Sequence, residues 1–321
     1  MTKILFITST RVGDAVLSTG LLNHLIETHP EARFTVACGP AAAPLFEATP
    51  RLDRLIVLHK MVYSLHWLGL WASCVTTFWD QVIDLRHAPL NYLLPARKHR
   101  RVYKSKEVMH RVPEMAAALG LRETPPAPVV WSSEENDQMA ARVIPDNVPV
   151  LAIGPTANWK AKTWPPEFFA DLAKRLCGHE GILAGGKVAV FGLDEERPAA
   201  LPFLEALPED IKIDLMGQAT LPEIHSCLKR SSLYIGNDSG LMHIAAASGV
   251  PTLGLFGPSR EELYAPWGEH CAFVRTPQSF ETIHPEGVHH RDFDSLMSGL
   301  TVERVERAAN GLWAKTRRGA P

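Results

Sequence analysis

The sequence predicts an α/β protein made of doubly wound parallel sheets. Short apolar runs recur along the chain and alternate with stretches of helical character. These runs lack the in–out alternation of a half-solvated strand, which marks strands covered on both faces in a parallel sheet. The chain has 321 residues, 46% of them hydrophobic and 21% charged, enough for two such domains.

In the first half, residues 3–8 form an apolar strand and residues 9–14 a turn. A helix over 15–28 ends before Pro30. Strands follow at 33–38, 55–58 and 82–85, with helical segments at 41–48 and 61–79 between them. In such sheets ligands sit beyond the carboxyl ends of the strands. Ser9 to Asp14, Gly39-Pro40 and Arg86-His87 are therefore expected along one rim.

Residues 61–79 hold no Asp, Glu, Lys or Arg, and that length would suffice to span a bilayer. The segment also carries Ser64, His66, Ser73, Thr76 and Thr77, so a buried or interfacial helix is expected. From Arg97 to Arg111 there are seven Lys or Arg against one Glu. This reads either as a solvated basic loop or as a site for a polyanionic partner or an anionic membrane surface.

Prolines at 125, 126 and 128, the polar run 132–138 and Pro145 to Pro149 mark the one clear shift in composition. The domain boundary is placed near residue 148. Strands are then expected at 150–153, 187–191 and 211–215, with helices at 166–177, 195–207 and 221–229. Gly185-Gly186-Lys187 reads as a turn entering a strand.

Residues 233–259 form a complete βαβ unit. A strand at 233–235 breaks at Gly236-Asn-Asp-Ser-Gly240, a helix runs over 241–247, and a strand follows at 252–256. The first amides of that helix have no intrahelical partner and carry partial positive charge. Asp238, Ser239 and Gly240 leave room for an anion such as a diphosphate to approach them. The loop alone fits a plain helix cap equally well. A helix over 302–315 closes the chain.

The net charge of −2 argues against a general nucleic-acid binder. Five scattered cysteines without a C-x-x-C pair fit reduced thiols in a cytosol, and with a strand beginning at Lys3 no signal peptide is expected. No metal cluster is evident; His284, His289 and His290 share a loop that reads as non-metal.

Three stretches together resemble a known family. They are Val12-Gly-Asp14 after the first strand, Lys162-Thr-Trp-Pro-Pro166, and Asn237-Asp-Ser-Gly-Leu-Met-His243 with Gly249-Val-Pro-Thr and Phe256-Gly-Pro-Ser259. Ile83-Asp-Leu-Arg86 and the Leu300-Thr-Val-Glu-Arg-Val helix extend the match over nearly the whole chain. The set is similar to glycosyltransferase family 9, which contains the ADP-heptose:lipopolysaccharide heptosyltransferases.

The resemblance implies a GT-B architecture, two Rossmann-like doubly wound domains facing across a cleft. Residues 1–148 would take the acceptor and 149–300 the nucleotide-sugar donor, with helix 301–321 crossing back to the first domain. It implies an inverting transfer of a sugar, a heptose from ADP-heptose, to a lipopolysaccharide-core or related lipid-linked glycan, without a permanently bound cofactor or a protein-bound metal. A cytoplasmic monomer in peripheral contact with the inner membrane is expected.

Carried over by position, Asp14 matches the family's candidate base and Lys162 the lysine meeting the donor diphosphate. Asp238, Ser239, Gly240 and His243 match the pyrophosphate loop, with Asn158 nearby. Glu195 or Glu196 would hold the ribose, and spacing favours Glu196. Thr10, Arg11, Gly13, Arg86, Arg97, Arg100 and Arg101 are acceptor-side candidates. Two departures concern the donor sugar. Ala157-Asn158 stand where the heptosyltransferases carry hydroxyl residues, and Ser295-Leu296-Met297 where they carry a cysteine. Two other classes fit the same architecture: a GT-B-type nucleotide-sugar epimerase, and a nucleotide-sugar-binding module with no use for Asp14.

Overall fold

The computed structural model describes residues 1–103, 107–283 and 293–318, which divide into two compact units, 1–131 and 132–321. The first unit carries five parallel strands: β1 (Lys3–Ile7), β2 (Arg33–Cys38), β3 (Leu52–Val57), β4 (Trp79–Asp84) and β5 (Ala96–Arg101). Their order is β3-β2-β1-β4-β5. The chain thus winds outward from β1 to β3, then restarts on the other side of β1 with β4. That reversal opens a crevice between the carboxyl ends of β1 and β4.

β1 lies at the centre because Ile4, Leu5, Phe6 and Ile7 are all fully buried. The next helix begins at Val12, three residues before the sequence suggested, and runs to Thr28. Asp14 is accordingly not a cap residue. Arg11 holds the cap position in extended conformation without a side-chain cap bond. Asp14 lies in the first helical turn, where a negative charge is favoured by the amide dipoles.

The basic run at 97–101 is no loop. It is the edge strand β5, paired in parallel with β4 through Gln81 to Lys98 and Ile83 to Arg100. Charged side chains are a common way to keep an edge strand from pairing further. The uncharged segment 61–79 holds a short 3-10 turn, Val62–Ser64, and a nine-residue α-helix, His66–Cys74, and its last residue, Trp79, already belongs to β4. No helix among the described residues is long and apolar enough to cross a membrane.

The second unit holds a six-stranded parallel sheet: β6 (Val150–Gly154), β7 (Lys187–Val190), β8 (Lys212–Asp214), β9 (Leu233–Asn237), β10 (Thr252–Phe256) and β11 (Cys271–Arg275). The order β11-β10-β9-β6-β7-β8 puts the reversal between β6 and β9. Here Gly154 pairs with Gly236, and the absence of side chains at both leaves room for the Tyr234 ring. A Cβ at either would lie 2.2 or 2.4 Å from the buried Tyr234 hydroxyl.

The unit boundary falls after Trp131 rather than near 148. The polar run that marked the shift in composition is a helix, Glu134–Val143, closed at its start by a reciprocal Ser133–Asn136 capping box. It packs on the second unit's helix Leu221–Lys229, where Ser226 donates to Asp137 at 2.6 Å. The last helix, Val302–Arg318, likewise belongs to the second unit by its contacts. Val305, Ala309 and Leu312 enter the same core as Leu151, Phe169 and Phe203, and Arg175 bonds Glu303 and Glu306 at 2.8 and 3.0 Å.

Candidate functional site

In the second unit the predicted donor residues gather on the reversal between β6 and β9. Lys162, from the loop after β6, donates to Asp238, just beyond β9, at 2.6 Å. Both side chains are nearly buried, 13% and 7% exposed. The ammonium also stands over the Trp159 ring, 4.5 Å from its centre. Asp238 uses one carboxylate oxygen and Lys162 one of its three protons in this bond, so the cation keeps donors for an anion.

The loop carrying Lys162 is fastened from two sides. Fully buried Asn237 accepts from the Trp164 backbone N–H at 2.9 Å and donates to the Pro155 carbonyl at 2.8 Å, spanning the base of the loop. From the other side, Ser295 donates to the Thr163 carbonyl at 2.5 Å, Leu296 N–H to Ala161 at 3.0 Å, and Trp164 Nε1 to Leu300 at 2.7 Å.

Beside the pair begins the helix Gly240–Ser248, whose cap residue Ser239 makes no side-chain cap bond. The helix stops at Gly249, with φ +83°, a left-handed turn that glycine adopts without strain. His243 is buried on this helix, its ring 6.4 Å from that of Tyr264. Burial raises the Tyr234 hydroxyl's pKa, and the Ser239 hydroxyl opposes that rise.

Next along the rim, Glu196 accepts from Thr156 Oγ1 at 2.7 Å and from Leu193 N–H at 3.2 Å, both on Oε2. Glu196 is partly buried while Glu195 is exposed. Two donors on one oxygen set the orientation of Glu196. Asn158 is exposed on the loop, apart from this network.

The first unit has its own rim cluster at the reversal between β1 and β4. Ser9 accepts from Arg11 N–H at 3.2 Å and from Arg86 Nη1 at 3.3 Å. Thr10 packs closely against Gly39, where a Cβ would fall 2.5 Å from its Cα. Gly13 and Asp14 are partly exposed in the first turn of the helix and Arg11 is exposed at its cap.

Asp84, 1% exposed, organises the β4 side. It accepts from the N–H groups of Arg86 and Ala88 and from Asn91, and pairs with Arg101 at 3.7 Å. Arg101 also donates to the Ala88 carbonyl at 3.1 Å and covers the Tyr92 ring, and its side chain is only 8% exposed. It holds the rim together and is not open to an acceptor. Arg97 pairs with Asp80 at 3.6 Å, and Arg100 is exposed.

Sequence reasoning missed Asp84, Thr156 and the Ser295–Leu300 clamp. Asp84 could have been found as an acid closing an apolar strand. Thr156 acts by a side-chain bond to Glu196 and the clamp by bonds to backbone carbonyls, contacts far apart in sequence that leave no local signal. Among the described residues no three His, Cys, Asp or Glu are grouped to hold a metal; His284, His289 and His290 lie outside the described residues. All five cysteines are free thiols, and burial pushes Cys38, Cys177, Cys227 and Cys271 up to about 12, which leaves them poor nucleophiles.

Known proteins share this layout. The chain is 25% identical to lipopolysaccharide heptosyltransferase 2 of Escherichia coli K12 over 351 residues, 97% of this chain and 98% of that one. It is also 25% identical to lipooligosaccharide heptosyltransferase 2 of Haemophilus influenzae, over 69% of this chain and 64% of that protein. The crystal structure of a family 9 glycosyl transferase from Veillonella parvula superposes with a TM-score of 0.82 at 24% identity, covering 98% of each chain. The E. coli ADP-heptose LPS heptosyltransferase II structure gives 0.74 at 22%, covering 99% of this chain and all of that one. Residues 52–284, which include Lys162, Glu196 and the 237–243 loop, match the profile of glycosyltransferase family 9 (heptosyltransferase), and the chain is a glycosyltransferase belonging to that family.

Proposed function

We propose that the protein transfers a heptose from ADP-heptose to the core glycan of a lipopolysaccharide, with inversion at the anomeric carbon. The observation that carries this reading is the Lys162–Asp238 pair beside the uncapped start of Gly240–Ser248. It supplies one cation and a row of amides where a nucleoside diphosphate would bind. The heptosyltransferase names of the relatives favour heptose as the sugar and lipopolysaccharide as the acceptor.

In this reading the second unit binds the donor. Glu196 Oε1 accepts from the ribose hydroxyls while Thr156 and Leu193 hold Oε2. Lys162 and the helix amides meet the diphosphate, with His243 and Asn158 lining the donor side. The first unit binds the acceptor, using Thr10, Arg11, Gly13, Arg86, Arg97 and Arg100. An acceptor hydroxyl oxygen attacks the anomeric carbon as the bond to the diphosphate oxygen breaks. Its proton passes to Asp14, and the bonding electrons leave with ADP. Negative charge grows on the departing diphosphate, and groups already fixed by Asn237 and the 295–300 clamp stabilise it without reorganising.

The test is product analysis. Purified protein is incubated with ADP-heptose and a lipopolysaccharide-core acceptor, beside UDP-, GDP- and CDP-sugars. Gain of one heptose by the acceptor, with one ADP released and an inverted linkage, is expected. An isomerised donor formed without acceptor, or tight nucleotide-sugar binding without turnover, would replace the proposal.

A further inference from the structure

Strand β9 carries a tyrosine between the aliphatic Leu233 and Ile235. Tyr234 is 0% exposed, and Cβ atoms at Gly154 and Gly236 would come within 2.2 and 2.4 Å of its hydroxyl. Tyr234 and Gly236 share a face of the strand, so the ring lies along β9 toward the carboxyl end. The hydroxyl thus points to the end of the sheet at which Asp238 and Ser239 follow. Burial holds the phenol's pKa well above its usual value and the Glu196 charge adds to the rise, so the hydroxyl keeps its proton.

Ser239 precedes the helix Gly240–Ser248 with φ −146° and ψ 172°, the extended backbone of an ordinary cap. A cap serine turns its oxygen onto the second or third amide of its helix. Ser239 makes no such bond, and its Oγ is covered instead. Neither the Ser239 nor the Tyr234 hydroxyl completes a hydrogen bond among the described residues. They are nevertheless close, since the Ser239 hydroxyl opposes the rise in the Tyr234 pKa. A phenol O–H and a helix N–H are both donors, and the serine oxygen can accept from either.

We infer that Tyr234 is a positioning residue of the anion site: its hydroxyl holds Ser239 Oγ inward, off the first amides of Gly240–Ser248, and leaves those amides to the ligand. Without the phenol proton the serine is free to cap its own helix, and a diphosphate must then displace that cap. The free protein carries the cost, as two covered hydroxyls imperfectly paired and a helix start without its cap. The effect on ADP rests on the diphosphate reading above; the choice of Ser239 between phenol and amide does not.

The test is a double-mutant cycle on the full chain, Tyr234→Phe and Ser239→Ala alone and together, read by ADP calorimetry and by thermal melts without nucleotide. With Ser239 present, Tyr234→Phe should weaken ADP binding about fivefold, the worth of one cap contact. In the Ser239→Ala background the same change should leave ADP affinity where it was, because no oxygen remains to cap the helix. In the melts Tyr234→Phe should raise the melting temperature by about 2–4 °C with Ser239 present, and by less with Ala there. A tyrosine that only fills the core would instead lower the melting temperature in both backgrounds and leave ADP affinity alone.

An equal loss of ADP affinity in both backgrounds, or a loss in neither, overturns the inference. So does a melting temperature that Tyr234→Phe lowers, or shifts equally with and without Ser239. If wild type binds no ADP, the diphosphate reading fails and the melts alone decide. Stabilisation by Tyr234→Phe that depends on Ser239 then supports the exchange of hydrogen-bond partners, and any other result overturns it.

Discussion

Lys162 and Asp238 illustrate how one ion pair can serve both stability and binding. Breaking a nearly buried pair from one side leaves a charge without its partner, which costs about 3–5 kcal/mol. Lys162→Met should therefore lower stability as well as ADP affinity. The charge-assisted contact to the diphosphate is worth about 1.5–3 kcal/mol, a ten- to hundredfold loss in affinity. Adding Asp238→Asn neutralises the stranded carboxylate. The double variant should regain most of the stability in thermal melts and none of the ADP affinity in calorimetry. If ADP binds Lys162→Met as it binds wild type, the diphosphate lies elsewhere.

Arg100 and Arg101 are adjacent in β5 and should behave differently. Arg101 is bound to Asp84, Ala88 and Tyr92, so Arg101→Gln should cost about 1.5–3 kcal/mol of stability. The exposed Arg100 should change stability by less than about 0.5 kcal/mol when made Gln. Equal melting temperatures for the two variants would contradict the role given to the Asp84 cluster.

At the scale of elements, the helix Leu221–Lys229 carries an acid-sensitive group. His225 is buried, Lys229 repels its charge and Asp137 attracts it, and the balance lowers its pKa from 6.5 to about 4. The unfolded chain thus binds this proton at higher pH than the folded one. Stability from neutral His225 is complete above pH 6.5 and is lost as pH falls toward 4, by about 3 kcal/mol. His225→Met should flatten this part of a chemical-denaturation profile between pH 7 and 4. Parallel profiles for wild type and variant would remove His225 as the cause.

The elements also show what a sequence exposes to view. β1, β6, β9 and β10 are apolar runs buried on both faces, and those runs were enough to find them. β5, Ala-Arg-Lys-His-Arg-Arg, was hidden because its partners are the carboxylates of Asp80 and Asp84 rather than a core. Edge strand β11 escaped for the related reason that its exposed Phe273 and partly exposed Cys271 give no clear pattern. The helix Glu134–Val143 showed in the sequence only as a polar run, because only Ala140 of it is buried. At the donor rim the loop types and Lys162 were legible, since charge and glycine placement are local. The fastening by Asn237 and Ser295 was not, because backbone carbonyls accept from any donor the fold brings near.

On the scale of the whole molecule, the two units repeat one device. Each winds a parallel sheet outward, reverses, and places its polar residues at the reversal, Ser9, Arg86 and Asp84 in one and Lys162, Asp238 and Thr156 in the other. The proposed division gives the first the acceptor and its proton and the second the donor and its diphosphate. Asp14 is where that division is most exposed to test. It lies in the first turn of a helix capped at Arg11, and Asn there keeps the shape while removing the proton acceptor. Loss of a general base typically slows a reaction about 10²–10⁴-fold. The decisive measurement is single-turnover heptose transfer by Asp14→Asn, paired with ADP calorimetry. Transfer at least about a hundredfold slower, with ADP affinity and melting temperature unchanged, is the predicted result. Transfer at the wild-type rate would contradict the base assignment, and a parallel fall in ADP affinity would contradict the division between the units.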